Sequence, residues 1–197
     1  MSANGGPDII TNGLVLHLDA ADIKSYPRTG AVWYDRSGNG NNGTLTNGPT
    51  FDSGNGGGIV FDGVDDRGTF TSPIASNSPQ TYEVWVKAIP SSLSDGFGYI
   101  LHNNSNNTNI GGSYMVIGYA GSNLQTREIF AAFNGAWLSM GTGVIGDTTT
   151  VRHIILTWNG STQIAYVDGV QRAGEAGRRQ GPSRAGRQSE CKTASRR

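Results

Sequence analysis

The stretch that most narrows what this chain can fold into is HIILTWNGSTQIAYVDGVQ, His153 to Gln171. Ile154, Leu156 and Trp158 alternate with His153, Ile155 and Thr157. Side chains on a strand point to opposite faces in turn, so this is a half-buried strand. Asn159-Gly160 accepts the positive φ of a two-residue hairpin turn. The return strand, QIAYV, is rich in β-branched and aromatic residues and ends at Asp168-Gly169, a second turn signal. A third strand should therefore begin near Val170. The residues that follow, RAGEAGRRQGPSRAGRQSECKTASRR, contain no Ile, Leu, Val, Phe, Trp, Tyr or Met. A strand half-packed on a core wants apolar residues on one face. Two strands are expected here, and the third is not.

The rest of the chain is punctuated in the same way. GLVLHLDA alternates Leu14, Leu16 and Leu18 with Val15, His17 and Asp19, and is expected to be a strand. VWYDRSGNGNNGTLTNGPTF holds three Asn-Gly steps, at Asn39, Asn42 and Asn47, and reads as a wound loop with short strand pieces. A short strand, Gly58 to Phe61, runs into the acidic turn DGVDD. QTYEVWVKAI sets Tyr82, Val84 and Val86 opposite Glu83, Trp85 and Lys87. FGYILH, SYMVIGY, REIFAAF and WLSMG add four more strands, the last two flanking Asn134-Gly135. About nine strands at regular spacing, with no helical stretch, is the pattern of an antiparallel β-sandwich. Charged residues make up only 15% of the chain and glycines number 30, which suits a loop-rich all-β protein.

Charge separates the chain into two parts. Met1 to Arg172 carries 8 basic and 13 acidic residues, whereas Ala173 to Arg197 carries 7 basic and 2 acidic, so the zero net charge is a cancellation. The acidic larger part disfavours nucleic acid as a partner. The one cysteine, Cys191, excludes an internal disulfide. No apolar run approaches the ~20 residues of a membrane-spanning helix. MSANGGPDIITNG has neither the basic nor the apolar region of a secretory signal, so synthesis in the cytoplasm is expected, with any exit by lysis.

Taken together, GLVLHLDA, WYDRSGNGNNGTL, IVFDGVDD, YEVWVKA and HIILTWNGSTQIAYVDGVQ resemble, in order and spacing, the laminin-G/pentraxin branch of the concanavalin A-like lectin/glucanase superfamily. The wording of the first third is similar to modules of bacteriophage structural and tail-associated proteins. The resemblance implies a two-sheet jelly roll that binds a glycan or a surface protein, in a virion alongside other virion proteins. It also implies strands after the YVDG turn. On this reading residues 1–12 are a lead-in, 13–172 the domain, incomplete at its C-terminal end, and 173–197 a basic tail that is disordered or read in a shifted frame. A sheet left with an open edge would pair with neighbours, so self-association is expected.

Catalysis is not expected. Glycoside hydrolysis normally takes two carboxyls flanking one bond. The Glu-x-Asp-x-x-Glu motif of the superfamily's hydrolases is missing around Glu83 and Glu128. His17, His102 and His153 show no metal or triad spacing, and by resemblance His153 is a structural strand residue. Sugar rings stack on aromatic planes, which makes Trp33, Tyr34, Tyr99, Tyr119 and Trp137 the candidate ligand-binding residues, with Trp85 and Trp158 assigned to the core. If a cofactor is held, calcium is the expectation, on Asp62, Asp65 and Asp66, with a second oxygen-rich loop at Asp35, Asn39 and Asn41. The alternative is that these side chains cap their own turns. By resemblance, Asn103 to Asn109 stands where pentraxins place calcium ligands, but it has amides and no carboxylate.

Overall fold

The computed structural model describes residues 9–70, 78–87, 97–102, 115–120, 128–133, 136–142, 144 and 149–176. The chain divides into two compact units, Met1–Ala75 and Ser76–Arg197. Every strand pairing is antiparallel. The described residues hold no α-helix, only a 3-10 turn at Gly54–Gly56. The expected all-β class is what the chain adopts.

The first unit is built from short pieces. Strands β1 (Val32–Trp33), β2 (Gly43–Thr46) and β5 (Arg67–Thr69) form a three-stranded sheet in the order β1-β2-β5. Strands β3 (Thr50–Asp52) and β4 (Gly58–Val60) form a separate hairpin. The repeated Asn-Gly steps explain the shortness: Asn47 at φ 72° and Gly48 at φ 106° turn the chain within one residue of β2.

The expected strand at GLVLHLDA does not form; residues 14–19 pair with no strand. Their backbone is tied instead by side chains of the loop at 35–41. Asp35 Oδ1 accepts from the N–H of His17 (2.9 Å), and Asn39 and Asn41 donate to Leu14 O and Val15 O at 3.0 and 2.9 Å. Alternating apolarity reports which side chains need cover; here Asn and Asp, rather than a neighbouring strand, take up the backbone hydrogen bonds. Asp35 also accepts from the N–H of Ser37 and Asn41 and from the Ser37 hydroxyl, so both its oxygens are engaged. Buried Ser25 links the N–H of Asp19 to the carbonyl of Tyr34, at 3.0 and 2.7 Å. Gly57, at φ 130°, passes so close to Ala21 that an added Cβ would lie 3.0 Å from its Cα.

The second unit is a sandwich. One sheet runs β10-β9-β8-β7, from Ala136–Thr142, Glu128–Phe133, Met115–Ala120 and Phe97–His102. The other runs β13-β12-β11-β6, from Val170–Ala176, Thr162–Val167, Val151–Trp158 and Gln80–Lys87. Ile129, Leu138 and Met140 of the first sheet meet Ile154, Leu156, Ala165 and Val167 of the second in one buried cluster. Tyr82, Val84, Val86 and Trp158 pack against it. Each fully buried aliphatic here contributes about 1.5–3 kcal/mol.

Strand β13 corrects the expectation that nothing after Asp168-Gly169 could form a strand. It pairs with β12 from Val167↔Val170 to Thr162↔Ala176 and so crosses the expected boundary at residue 172. Asp168 at φ 53° and Gly169 at φ 75° make the tight turn that sends the chain back antiparallel. An edge strand is held by hydrogen bonds along one side only, and those are backbone groups that Ala, Gly and Glu carry as well as Val does. Residues 177–197, and the loop Asn103 to Asn109, lie outside the described residues.

Two substitutions test this account by urea denaturation. Leu156→Ala, in the sandwich core, is expected to cost about 2–5 kcal/mol. Asp35→Ala, which strands several donors at once, is expected to cost about 2 kcal/mol or more. A loss under about 0.5 kcal/mol at either site would mean that surface positions had been mistaken for structural ones.

Candidate functional site

The outward face of the β13-β12-β11-β6 sheet follows from strand parity. Ile154, Leu156, Ala165 and Val167 point into the core, so their neighbours His153, Ile155, Ile164 and Tyr166 point out. Register then aligns rows across the strands: Trp85↔His153, Glu83↔Ile155↔Tyr166↔Gln171, and Thr81↔Thr157↔Ile164↔Gly174.

Trp85 was expected in the core, and here the structure differs. It is 66% exposed. The reason lies in its own strand, where Tyr82, Val84 and Val86 take the inner face and leave Trp85 between Glu83 and Lys87. The His153 imidazole stacks on the indole, with ring centres 4.2 Å apart and planes 12° from parallel. A nearly parallel ring covers one face of the indole only, so the exposed area is the opposite face and the edge. That face looks past β6, an edge strand among the described strands. His153 Nε2 lies 2.8 Å from Glu83 Oε1, where the carboxylate accepts. The result is a flat apolar plane held from behind, with a carboxylate at its rim.

Position 153 is fixed from the other side by Asp168. Asp168 Oδ1 accepts from the N–H of His153 (3.0 Å), and its own N–H donates to His153 O (2.8 Å). Asp168 Oδ2 pairs with Arg152 Nη1 at 2.8 Å. The His153 N–H, partly offset by burial and helped by Arg152, holds the Asp168 carboxyl below its ordinary range.

None of the five aromatic candidates is on a strand of this sheet. Trp33 and Tyr34 belong to the first unit, Trp33 half-buried with its indole N–H enclosed and unpaired among the described residues, Tyr34 exposed. Tyr99, Tyr119 and Trp137 lie on β7, β8 and β10 of the other sheet, and their side chains fall outside what is described. Trp158 packs against the core as expected. The carboxylates Asp62, Asp65 and Asp66 do come together, one oxygen of each lying within 4.8 Å of the others. Asp62 Oδ1 accepts from Val64, Asp65 and Asp66 N–H at 2.8, 3.3 and 3.4 Å. The Val64 contact leads in lowering the pKa of Asp62. Asp66 Oδ2 accepts from the N–H of Asp62, while Asp66 Oδ1 is enclosed and has no partner among the described residues. Three hard oxygens on one turn could hold calcium. Three accepted backbone N–H groups at Asp62 also make it a turn cap.

The family model Laminin_G_3, described as the concanavalin A-like lectin/glucanases superfamily, matches residues 62–189. That span takes in the whole second-unit sandwich and continues beyond β13. The solved structure of domain 4 of AbnA, a GH43 extracellular arabinanase from Geobacillus stearothermophilus in complex with arabinotriose, is similar at a TM-score of 0.50. It shares 16% identity over 72% of this chain and 68% of that one, a likeness of fold alone. No curated protein matches the sequence.

The Asp168 clamp makes a prediction about pH. A carboxylate whose folded pKa lies below its unfolded value of about 3.9 stabilises the fold above that value and loses this contribution as pH falls through the folded pKa. Asp168→Asn should therefore be less stable than the parent at neutral pH, with the gap closing below about pH 4. A gap that is constant from neutral to acid pH, followed by thermal melting, would show that the charge of Asp168 contributes nothing.

Proposed function

Because the chain belongs to the concanavalin A-like lectin/glucanases superfamily, we propose that it is a non-catalytic carbohydrate-binding module, with the Trp85–His153 stack as its contact surface. The observation that carries this reading is an exposed indole whose one face is backed by a parallel ring and whose rim holds a carboxylate. The C–H face of a sugar ring is apolar and its edge is lined with hydroxyls. An aromatic plane with a hydrogen-bonding rim complements both. The bound arabinotriose of the arabinanase domain is in keeping with a sugar ligand for a fold of this kind. The non-catalytic part of the reading rests on the missing Glu-x-Asp-x-x-Glu pattern, and on Glu83 being committed to His153. The setting we favour is a phage virion or tail protein, for which the motifs of the first third are the support.

Calcium is the cofactor we infer for the first unit, at Asp62, Asp65 and Asp66. The enclosed, unpartnered Asp66 Oδ1 supports it.

The test is a broad glycan array followed by titration calorimetry. Trp85→Ala should weaken the strongest glycan at least about tenfold, or about 1.4 kcal/mol, with the melting temperature unchanged because the side chain is mostly exposed. Trp85→Phe should recover part of the loss. Silence across the array from folded protein would favour a structural assembly domain instead. For the metal, saturating calcium should raise the melting temperature of the parent over that in EDTA, and Asp66→Asn should lose the rise. Identical melting in both buffers would remove the calcium reading.

A further inference from the structure

The described residues hold Asn-Gly steps at Asn12, Asn39, Asn42, Asn47, Asn55 and Asn159. All these asparagines are exposed, so access to water does not distinguish them. Their hydrogen bonds do. Asn39 Nδ2 donates to Leu14 O and to Ser37 Oγ, both at 3.0 Å. Asn42 Oδ1 accepts from the N–H of Asp35 at 2.9 Å. Asn47 Nδ2 donates to Asp65 O at 2.8 Å. Asn159 Oδ1 accepts from the N–H groups of Ser161 and Thr162 at 2.9 and 2.8 Å. The side-chain amides of Asn12 and Asn55 have no hydrogen-bond partner among the described residues.

An Asn-Gly step carries a latent reaction. The backbone nitrogen of the glycine attacks the asparagine Cγ. The Cγ–Nδ2 bond breaks, ammonia leaves with the proton of the attacking nitrogen, and a five-membered succinimide remains. Water then opens the ring at either carbonyl. One opening gives aspartate; the other gives isoaspartate, whose backbone runs through Cβ and Cγ. No oxidant or enzyme is needed, and glycine, lacking a Cβ, leaves the attacking nitrogen uncrowded. To react, the side chain must swing until Cγ lies over that nitrogen. A hydrogen bond at either end of the amide has to break first, which adds to the barrier.

Asn55 lies at φ 53°, ψ 31° in the 3-10 turn that joins β3 to β4. The turn is closed by the Gly57 N–H on Gly54 O at 3.0 Å. Hydrogen bonds of such a turn have poorer geometry than those of an α-helix, so it opens more readily. We propose that Asn55-Gly56 is a modification site, at which the folded chain converts asparagine to aspartate and isoaspartate through a succinimide. Asn12-Gly13 is a second such site, and the four hydrogen-bonded steps persist. Each event adds a negative charge. At Asn55 the new carboxylate joins a turn that already holds Asp52, whose Oδ1 accepts from the N–H of Gly54 at 2.9 Å. Isoaspartate also lengthens the backbone of this turn. Gly57 already passes close to Ala21, so the extra length must be taken up within Gly54–Gly56. The hairpin it closes has only the pairs Thr50↔Val60, Phe51↔Ile59 and Asp52↔Gly58.

The experiment is peptide mass mapping of the full chain during incubation in warm, mildly alkaline buffer, with fragmentation that separates aspartate from isoaspartate. Asn12 and Asn55 should convert at least about fivefold faster than Asn39, Asn42, Asn47 and Asn159, the factor set by one hydrogen bond that must break. In denaturing urea all six should approach one rate, because each is followed by glycine. Asn55→Gly, which accepts the same positive φ, should lose the conversion at this step and keep it at Asn12. Conversion of Asn55 no faster than that of the four hydrogen-bonded asparagines would overturn the site. So would a ranking that persists unchanged in urea, since the fold would then not be its cause. Conversion at Asn12 alone would overturn it for the β3–β4 turn.

Discussion

One carboxylate ties together the parts of this molecule that matter most. Asp168 occupies the first position of a turn that needs positive φ, where a short polar side chain is tolerated and a branched one is not. From there it reaches back across the sheet to the N–H of His153 and to Arg152. The same residue therefore closes the β12–β13 hairpin and anchors the start of β11. That anchor adds to the pairing of β11 with β6 at the residue whose imidazole lies flat on Trp85. The fold of the edge and the geometry of the surface are one problem, solved by one side chain.

Much of this was legible in the sequence. The alternation in HIILTW and YEVWV is that of β11 and β6, and it marks their buried faces, because burial on one side of a strand leaves a period of two. The two-residue turns at Asn159-Gly160 and Asp168-Gly169 gave the connections. Strand parity alone puts Trp85 on the outer face with Glu83 and Lys87, and the general tendency of tryptophan to be buried does not hold at this position. The five aromatic candidates share a residue type, which says nothing about the sheet each belongs to. His153 and Trp85 lie 68 positions apart in the chain. Only the pairing register brings them together, and register between distant strands is not written in either strand alone.

The absence of a strand at residues 14–19 and the presence of β13 have a common physical source, which is that apolar side chains are an incomplete measure of a strand. At residues 14–19 the apolar alternation is present, but the partners for the backbone are side chains of Asp35, Asn39 and Asn41 and the N–H of Arg36. At β13 the apolar residues were missing, but β12 offered an unpaired row of backbone groups and the turn delivered the chain to it. A strand is defined by where its amides and carbonyls go. The side-chain pattern is a proxy for this in a central strand and a poor one at an edge or in a loop-stitched segment.

The stack of His153 on Trp85 has a consequence for how tightly anything can be held there. A lone exposed tryptophan samples several rotamers, and a ligand must select one of them. Here the imidazole, itself pinned by Glu83 and by the backbone contacts of Asp168, already confines the indole. The ordering cost falls on folding rather than on association, so a ring stacking on the proposed surface would meet it preorganised. A flexible hydrophobic contact has thereby become a rigid one, at the edge of a sheet where rigidity is hardest to come by.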